Sequence, residues 1–448
     1  MRKNTVSRRS FIRRAGAIAA AGMAAPAFLQ AAESAPPSRK LSIAFIGVGG
    51  RGDANLDGLA PGNDVVALCD VDFRQGKGAF EKFSGAKRYQ DFRRMFDEME
   101  KSIDVVAVST PDHTHAVAAL AAIRRGKHVY CEKPLAHSVG ECRALAAAAK
   151  EKGIVTQLGN QGHASEDIRK LVEWVHDGAI GKVHTIHAAC DAVHCRIGDL
   201  PRRSEKHEVP TELDWELWLG PVARRDYHPM YLPGAWRAWK PFGNGTIGDW
   251  VCHVVDPSFW ALELGAPRTV RAVKLLDYDP VQHADTFARG EIFEMEFPAR
   301  GERGPVKLFW YSGVERIPRP EGLEPDKQPP GTGAVLIGDK GVITHGSHGA
   351  GGVRLVPESR MKEYKQPSPT LPRVRGHHED FLDAIREGKK AGADFAAYGA
   401  PLTEIAMLGI IAASFPGRKL TWDTEAMRFT DCDEANALVA PKGREGWA

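Results

Sequence analysis

The sequence predicts an α/β protein whose first domain is built on a doubly wound parallel sheet. Residues 41–46 form a short apolar run with β-branched side chains, which is typical of a buried parallel strand. This run leads directly into a glycine-rich turn, Gly47-Val48-Gly49-Gly50-Arg51-Gly52. A second apolar run, residues 65–69, ends at Asp70, close to the spacing of about 20 residues expected between such a turn and an acidic strand end. The strand, the turn and the second strand together indicate the start of a βαβ unit.

The glycine turn indicates binding of a dinucleotide. In a G-x-G-x-x-G turn the first glycine, Gly47, permits the tight bend, and the second, Gly49, lets the backbone approach a pyrophosphate. The third, Gly52, permits close packing of the following helix. Gly50 and Arg51 complete the turn, and the helix that follows offers its first N–H groups to an anion.

Asp70 favours NAD(H) over NADP(H) as the cofactor. A carboxylate at this strand end accepts hydrogen bonds from a free ribose 2′-hydroxyl and repels a 2′-phosphate. Arg74 lies just beyond the strand, where an arginine can hold such a phosphate. We expect it to lie instead at the start of an exposed helix.

The composition is that of a globular protein of two or three domains. The chain has 448 residues, a formal net charge of +3, 43% hydrophobic residues and 26% charged residues. A net charge so near zero argues against a nucleic-acid-binding protein, which usually carries a strong basic excess. No apolar run reaches the roughly 20 residues needed to span a bilayer, so we expect no stable membrane anchor. The seven cysteines include no CxxC pair, and we expect free thiols, with only Cys190 and Cys195 close enough to question this.

Residues 1–35 are predicted to be a twin-arginine signal peptide and linker. Ser7-Arg8-Arg9-Ser10-Phe11 places two arginines ahead of an apolar run, residues 15–29, that is rich in alanine and glycine. We therefore expect the twin-arginine translocase to be a partner during export and the mature protein to be periplasmic or otherwise exported. This route carries folded proteins, often already loaded with cofactor. The alternative is a basic N-terminal tail without a targeting role.

The βαβ rhythm continues through the first domain. A third strand, residues 103–108, ends in Ser109-Thr110-Pro111, and an Ala-rich helix follows from His115. A fourth strand, residues 127–131, ends in Glu132-Lys133-Pro134. Cofactor and substrate meet at the carboxyl ends of parallel strands. The candidate cofactor-binding residues at these two strand ends are therefore Thr110, Pro111, His115, Glu132 and Lys133. The remaining elements of this domain, which we place at residues 41–162, are a helix at 138–152 and a strand at 155–158.

In this order the motifs resemble those of the Gfo/Idh/MocA oxidoreductase family. The glycine turn, the acidic strand end, an S-T-P-x-x-x-H loop, the run G-K-H-V-Y-C-E-K-P and a later D-x-x-x-H pair follow one another within residues 41–422. The resemblance implies a Rossmann domain followed by a C-terminal α/β domain, residues 163–425, whose open, mostly antiparallel sheet carries the substrate pocket. It also implies a homo-dimer or tetramer. Residues 426–448 are then a C-terminal tail.

The second half of the chain has a compatible pattern. Asp249 and His253 lie four residues apart in a segment that opens a helix, so they share one helical face, with Asp256 close to the same stripe. The segment matches the family's D-x-G-x-H-x-x-D motif, except that Val251 stands where glycine is usual. The other predicted elements are amphipathic helices at 165–177, 377–390 and 401–414, strands at 183–189, 291–297 and 306–311, a short end strand or extended segment at 418–422, and a hairpin at 334–344.

Residues 201–239 form a long irregular segment rich in tryptophan and proline. It contains Trp215, Trp218, Trp236 and Trp239. Aromatic rings in a loop suit stacking on sugar faces, and packing under a lid is the alternative for each of them. We also expect residues 215–239 to cover a bound cofactor.

The motifs imply a catalytic group of Lys133, Asp249 and His253. Oxidising a carbinol needs a hydride acceptor, which NAD supplies, and a base whose pKa lies near the working pH. By the resemblance, Lys133 hydrogen-bonds the reacting oxygen, and His253, oriented by Asp249, accepts the proton. The candidate substrate-binding residues are Asn160, His163, Tyr227, Arg237 and Asp256.

We expect no metal site. His184, His187, His194 and Asp191 lie close in sequence. Strand alternation, however, places His187 and Asp191 on one face and His184 on the other, and no H-x-x-x-H pair or cysteine ligand set accompanies them.

The sequence therefore predicts an exported NAD(H)-dependent oxidoreductase that acts on a sugar or glycoside by hydride transfer at a carbinol. Since little free nicotinamide cofactor exists outside the cytoplasm, we expect NAD(H) to be tightly bound and recycled within one catalytic cycle. Two chemistries meet this requirement. One couples oxidation of one sugar to reduction of another; the other cleaves a glycoside by oxidation, elimination, addition of water and reduction. A non-catalytic sugar or nucleotide sensor is a further alternative, against which the presence of Lys133, Asp249 and His253 together argues.

Overall fold

The computed structural model describes residues 39–447, so the predicted signal peptide lies outside the described residues. The sheet of the first domain has six strands: β1 (Ser42–Ile46), β2 (Asp64–Cys69), β3 (Lys87–Tyr89), β4 (Val105–Val108), β5 (His128–Glu132) and β6 (Thr156–Gly159). Their order is β3-β2-β1-β4-β5-β6 and all neighbours are parallel. The predicted doubly wound parallel sheet is confirmed. Between β1 and β4 the strand order reverses, and a crevice forms at the carboxyl ends of strands at such a switch point.

Five helices of the described chain accompany this sheet. They are α1 (Arg51–Leu59), α2 (Lys77–Lys82), α3 (Phe92–Met99), α4 (Asp112–Arg124) and α5 (Val139–Lys152). Helix α5 shows why such bounds can be predicted. It begins where the Ser138 side chain accepts a hydrogen bond from the backbone N–H of Glu141, and it ends at Gly153, whose φ of 62° is left-handed.

The second domain is built on a sheet of nine strands. The strands added here are β7 (Val183–Cys190), β8 (Thr269–Leu276), β9 (Gly290–Phe297), β10 (Val306–Gly313), β11 (Gly333–Gly338), β12 (Gly341–Gly346), β13 (Arg354–Val356), β14 (Lys419–Asp423) and β15 (Arg428–Phe429). Their order is β13-β12-β11-β7-β10-β9-β8-β14-β15. Only β7 and β10 pair in parallel, so the sheet is mixed and mostly antiparallel, as the resemblance implies.

The helices of the second half surround this sheet and the domain junction. They are α6 (Glu166–His176), α7 (Trp215–Leu219), α8 (Gly245–Val254), α9 (Asp256–Leu262), α10 (Glu358–Glu363), α11 (His377–Glu387), α12 (Ala400–Ala412) and α13 (Asp433–Asn436). The predicted amphipathic character of α12 is wrong, because the helix is buried on almost all sides. Its one carboxylate, Glu404, is 1% exposed and pairs with Arg143 and the indole N–H of Trp422. By length and composition alone the stretch Phe395–Ala412 could cross a membrane, but 72% of it is buried inside the protein.

A buried contact joins α4 of the first domain to the start of α8. Asn244, which precedes α8, donates from its backbone N–H and from its Nδ2 to the Asp112 carboxylate, at 3.2 and 3.0 Å. Burial raises the pKa of Asp112 to about 7. Because α8 carries Asp249 and His253, this contact fixes those side chains relative to the first domain.

All seven cysteines lie in the described residues, and all are free. Cys190 and Cys195, the one pair that sequence proximity left in question, form no disulfide. The expectation of free thiols is confirmed.

Candidate active site

A cleft of about 690 Å³ lies at the carboxyl ends of β1, β2, β4 and β5, where the first domain meets α8. Most of the predicted cofactor-binding and catalytic residues line it. They are Gly47, Gly49, Gly50, Arg51, Asp70, Thr110, Pro111, His115, Glu132, Lys133, Asp249 and His253, and the candidate substrate residue Arg237 lines it too.

The glycine turn forms one wall of the cleft, and three of its glycines, Gly47, Gly49 and Gly52, leave no room for a Cβ. Gly47 has φ +80°, and a Cβ there would lie 2.7 Å from the backbone of Ser109. Gly52 lies beneath the turn, where a Cβ would fall 2.1 Å from the Gly47 carbonyl oxygen. Above Gly50, in contrast, the space is open, with nothing within 4 Å of an added Cβ. The turn therefore leaves its backbone accessible to an anion at the start of α1.

Asp70 ends β2 beside this turn. Its carboxylate accepts hydrogen bonds from the backbone N–H groups of Val48 and Asp72, at 3.0 and 2.9 Å. Burial raises the pKa of Asp70 to about 6, and these backbone hydrogen bonds limit the rise. At pH 7 the group is therefore mostly ionised and can accept a hydrogen bond from a ribose hydroxyl.

Substitution of Asp70 is expected to change cofactor choice. Asp70→Ala should weaken retention of NAD(H) and reduce discrimination against NADP(H), because it removes both the hydroxyl acceptor and the repulsion of a 2′-phosphate. Protonation of a carboxyl group with a pKa of about 6 removes its charge as the pH falls, so the affinity of the wild type for NADH should drop between pH 7 and pH 5. Asp70→Asn, of similar size, should lose that pH dependence. Fluorescence titration with NADH and NADPH measures both effects, and an unchanged preference in Asp70→Ala would contradict the role of Asp70.

Glu132 fixes the first residue of α1. Its Oε1 accepts hydrogen bonds from Arg51 Nε at 3.0 Å and from Asn55 Nδ2 at 2.9 Å. The Glu132 side chain is only 6% exposed. Glu132 thus holds the glycine turn against β5, which agrees with an orienting role rather than a chemical one.

His115 joins two loops that line the cleft. Its Nδ1 lies 2.8 Å from the carbonyl oxygen of Pro134, and its Nε2 lies 2.7 Å from that of Thr110. Burial lowers the pKa of His115, so the ring is neutral at pH 7 and donates to one of these carbonyls at a time. His115 therefore fixes the position of the loop after β4 relative to the loop after β5.

Lys133 and Asp249 form a buried ion pair away from the Asp70 end of the cleft. Lys133 Nζ donates to Asp249 Oδ1 at 2.6 Å and to the Asp249 carbonyl at 2.8 Å, and the two side chains are 12% and 13% exposed. Arg237 Nε donates to the same Oδ1 at 3.2 Å, and His194 Nε2 lies 3.0 Å from Oδ2. Burial acts to raise the pKa of Asp249, but Lys133, His194 and Arg237 outweigh it and hold that pKa well below its usual value. Asp249 is therefore an ionised carboxylate that positions three donors around one point.

His253 has a different partner from the one predicted. Both Asp249 oxygens are engaged by other groups, and within the described part of the chain His253 Nδ1 is buried without a hydrogen-bond partner. The ring instead stacks on His348, with centroids 4.0 Å apart and planes inclined by 23°. The expected orientation of His253 by Asp249 is thus corrected. Residues four apart share a helical face, but here the cationic side chains of Lys133 and Arg237 hold the carboxylate away from the imidazole.

His253 is a weaker base than an ordinary histidine, so its pKa does not lie near the working pH as expected. Burial lowers its pKa well below the usual value, and the positive charge of Lys133 and the neighbouring His348 act in the same direction. The ring is therefore neutral at pH 7, and because Nδ1 is buried, Nε2 is the nitrogen left to face the cleft.

Sequence reasoning missed two residues of this site. His348 lies in the loop after β12 with φ 54° and lines the cleft. Its signal was the run of small residues around it, G-S-H-G-A-G-G, which is unusual for a plain connection. His194 was considered only as a metal ligand, although it reaches Asp249.

Four predicted substrate residues do not line the cleft. His163 Nδ1 lies 3.0 Å from Asp256 Oδ1, and both side chains are buried beside Tyr398. Tyr227 packs edge-on against Trp215, with ring centroids 5.3 Å apart. Asn160 is fully buried, and its side-chain nitrogen and oxygen have no partner among the described residues. Of the five predicted residues only Arg237 lines the cleft. Position in the sequence shows that these side chains are polar, but it does not show which of them are buried against other parts of the protein.

The tryptophan-rich segment both packs and borders the cleft. One buried cluster contains Leu213, Trp215, Trp218, Leu219, Tyr227, Tyr231, Trp236, Trp239 and Phe242. Trp218 and Trp236 from this cluster also line the cleft, together with residues 232–234. Some rings of this segment therefore pack against one another, and Trp218 and Trp236 do so while also lining the cleft.

One group in the described residues brings metal-ligating side chains together. Ligand atoms of Glu205, His207 and His228 lie within 4.8 Å of one another. His228 Nδ1 accepts the backbone N–H of Met230 at 3.1 Å, so the neutral ring carries its proton on Nε2, which faces Glu205 at 3.3 Å. A metal ion on Nε2 would displace that proton and its hydrogen bond, and we assign no metal to the group.

Two polar atoms of cleft-lining residues have no hydrogen-bond partner among the described residues, which agrees with binding of a dinucleotide. Thr110 Oγ1 and Gln161 Oε1 are buried, belong to residues that line the cleft, and have no partner in the described chain. An unsatisfied buried polar atom costs about 1–3 kcal/mol, so such atoms in a cleft indicate a polar ligand. With the open turn at Gly50 and the carboxylate of Asp70, these atoms match the needs of NAD(H).

Comparison with known proteins gives matches in both halves of the chain. A model described as an oxidoreductase family with an NAD-binding Rossmann fold matches residues 41–160, and a model of the same family's C-terminal α/β domain matches residues 166–297. Inositol 2-dehydrogenase of Salmonella typhimurium is 30% identical over 152 residues, which cover 33% of this chain and 45% of that protein. Levoglucosan dehydrogenase of Pseudarthrobacter phenanthrenivorans is 28% identical over 233 residues, 51% of this chain and 50% of that protein. The chain thus spans about half the length of the curated relatives it matches.

The solved structures agree on the fold. Aldose-aldose oxidoreductase from Caulobacter crescentus, complexed with glycerol, has a TM-score of 0.56 at 18% identity over 86% of this chain and all of that chain. At this identity the likeness shows the fold alone. The two family models, however, together match more than half of the chain and meet where the structure places its two domains. We conclude that the chain belongs to the Gfo/Idh/MocA oxidoreductase family, with its NAD-binding Rossmann domain and C-terminal α/β domain.

Proposed function

We propose that the protein is an NAD(H)-dependent oxidoreductase that transfers a hydride at a carbinol of a sugar or glycoside. The observation that carries this proposal is the buried Lys133–Asp249 pair in the same cleft as the glycine turn and Asp70. A nicotinamide oxidoreductase needs a cofactor turn at one end of a cleft and polar groups for the reacting oxygen at the other. The names of the relatives, inositol 2-dehydrogenase and levoglucosan dehydrogenase, support a cyclic carbohydrate as the substrate class.

The residues of the first domain would hold the cofactor. The turn at residues 47–52 and the start of α1 would bind the pyrophosphate, Asp70 the adenosine ribose, and Thr110 Oγ1 a further polar group. When bound, NAD(H) supplies the hydride acceptor or donor.

The residues around Asp249 would position the substrate. Asp249 accepts two of the three N–H bonds of Lys133 Nζ, at 2.6 and 2.8 Å, so the one remaining N–H points in a fixed direction and is available to a carbinol oxygen. The positive charge would stabilise that oxygen as its proton leaves. Arg237, at the same carboxylate and in the same cleft, is placed to bind a neighbouring hydroxyl.

His253 would take the proton. Its ring is neutral and lines the cleft, the stack on His348 fixes the plane of the ring, and with Nδ1 buried the proton would go to Nε2. The carbinol proton would pass to His253 as the hydride leaves the carbinol carbon, so that the sugar carbonyl forms without a free alkoxide.

A spectrophotometric assay tests the proposal. Myo-inositol, levoglucosan and glucose, each mixed with enzyme and NAD, should include at least one compound that produces the absorbance of reduced nicotinamide. The corresponding ketose or lactone should reverse the change with NADH. If no member of this panel changed the absorbance of the enzyme-bound nicotinamide in either direction at stoichiometric enzyme, while the protein bound NAD, net oxidation of these three sugars would be contradicted.

We further propose that the protein is exported by the twin-arginine route and retains NAD(H) through its catalytic cycle. Arg8 and Arg9 support export, and the cleft wall formed by Leu232, Pro233, Gly234 and Trp236 supports slow release of the cofactor. Enzyme dialysed extensively should then turn over a suitable sugar pair or glycoside repeatedly without added nicotinamide. Loss of activity on dialysis, with recovery in proportion to added NAD, would contradict retention and favour an ordinary dehydrogenase.

The two closed-cycle chemistries differ in their products. Net transfer between two sugars gives one oxidised and one reduced sugar, whereas the redox-neutral route gives two hydrolysis products and no net NADH. Product analysis by mass spectrometry separates them.

The homo-dimer or tetramer stays a prediction that light scattering can measure.

A further inference from the structure

Residues 441–447, which we call the C-terminal strap, run from the turn after helix α7 to the cleft. The strap is anchored at Arg444, whose backbone N–H donates to the carbonyl of Pro221 at 2.7 Å. The Arg444 side chain donates to the Glu216 carboxylate at 2.6 Å and to the Gly220 carbonyl at 3.1 Å. The strap is therefore tied to helix α7 and the turn that follows it, beside the tryptophan-rich segment.

Trp447 extends from this anchor into the wall of the cleft. Most strap residues are exposed, but Trp447 is half-buried and lines the cleft with Phe92 and Thr114. Its ring packs edge-on against Phe92, with centroids 6.2 Å apart, and the Arg93 guanidinium lies 4.3 Å from its centroid. Asp91 holds that guanidinium with hydrogen bonds of 2.9 and 2.8 Å. The indole is thus positioned by a fixed cation and a fixed ring.

These contacts place Trp447 at the adenosine end of the cleft. Phe92 follows β3, which is the neighbour of β2, and β2 is followed directly by Asp70, the carboxylate assigned to the adenosine ribose. Lys133 follows β5, on the other side of the point where the strand order reverses. In a doubly wound sheet the two halves of a dinucleotide lie on opposite sides of that point.

We infer that Trp447 caps the adenosine moiety of the bound dinucleotide and slows its release. The inference rests on the proposed use of NAD(H). An aromatic ring offers a flat apolar face to adenine, and such stacking contributes about 1–3 kcal/mol per base, or roughly 5- to 150-fold in affinity. Because Arg93 and Phe92 already hold the indole, little ordering is needed when the ligand binds. The ligand class is an adenosine diphosphate ribose, whether or not a nicotinamide is attached.

Binding measurements with NADH and ADP-ribose test the inference without any substrate. Trp447→Ala should weaken both probes by the same factor, about fivefold or more, and should raise the dissociation rate of NADH. Trp447→Phe keeps a ring and should restore most of the affinity. Lys442→Ala is the matched control, because Lys442 is exposed in the same strap and does not line the cleft, and it should bind both probes like the wild type.

Three results would overturn the inference. They are unchanged binding in Trp447→Ala, tighter binding, which would mean that the indole occupies the adenine space, and a loss for NADH that ADP-ribose does not share. Thermal unfolding without ligand establishes that the variants are folded, and Trp447→Phe provides the comparison if the alanine variant is not. A wild type that bound neither NADH nor ADP-ribose would instead contradict the proposed cofactor use, so the two failures are distinguishable.

Discussion

Replacing Lys133 by methionine is expected to lower turnover by about 100-fold or more, the usual scale for losing a positioned acid or base. Methionine keeps the length of the side chain and removes the ammonium that Asp249 holds at 2.6 Å. The fold should persist, because Asp249 retains Arg237 and His194 as partners. NADH affinity should change little, since the turn and Asp70 are untouched. Steady-state rates on the responding sugar, together with fluorescence titration of NADH, measure the two effects separately.

Lys127→Met is the matched control for this substitution. Lys127 immediately precedes β5, at the opposite end of the strand from Lys133, and it does not line the cleft. Its turnover should equal that of the wild type. Near-normal turnover in Lys133→Met would show that the reacting oxygen does not depend on the ammonium.

His253→Ala is also expected to lower turnover by about 100-fold or more while the cofactor stays bound. The pH profile gives a second readout. A base must be neutral to act, and burial, Lys133 and His348 all lower the pKa of His253, so activity in the wild type should persist below the usual histidine range near pH 6.5. Removing the Lys133 charge should raise that pKa, and the acid limb of kcat/KM should therefore move to higher pH in Lys133→Met.

An exposed histidine provides the control for His253. His184 lies on β7, is exposed, and does not line the cleft, so His184→Ala should leave turnover and its pH profile unchanged. An acid limb in the wild type at or above the usual histidine pKa, or one that Lys133→Met does not move, would contradict His253 as the proton acceptor.

The first domain can be predicted from sequence because its signals are local. Apolar strands, a glycine turn and polar strand ends repeat along residues 41–159, and each strand end supplies its own cleft residues. The three-residue strand β3 has no such signal, because two of its residues, Lys87 and Arg88, are charged and exposed. The complete burial of α12 also has no local signal, since it depends on packing between elements far apart in the chain.

The site is less predictable than the fold, because its contacts join residues that lie far apart in the chain. Lys133, Asp249 and His253 carry motif signals and meet in one cleft. Which of their atoms are in contact depends on residues from other elements. His194 and His348 lie in loops that follow strands of the second sheet, and the sequence around them has no periodic pattern. His163 and Asp256 look equally reactive in sequence, but the structure pairs them with each other inside the protein. A polar residue type shows what chemistry is possible, whereas its partners decide whether it is available.

The most direct test of the account is native mass spectrometry of the purified protein, which distinguishes the chain alone from the chain with one dinucleotide bound. We expect a dominant species with one NAD(H) per chain in the wild type and in Lys133→Met, and a reduced fraction in Asp70→Ala. A wild type that carried no dinucleotide, and gained none when mixed with NAD(H), would contradict the assignment of the cleft to this cofactor and the proposed chemistry with it.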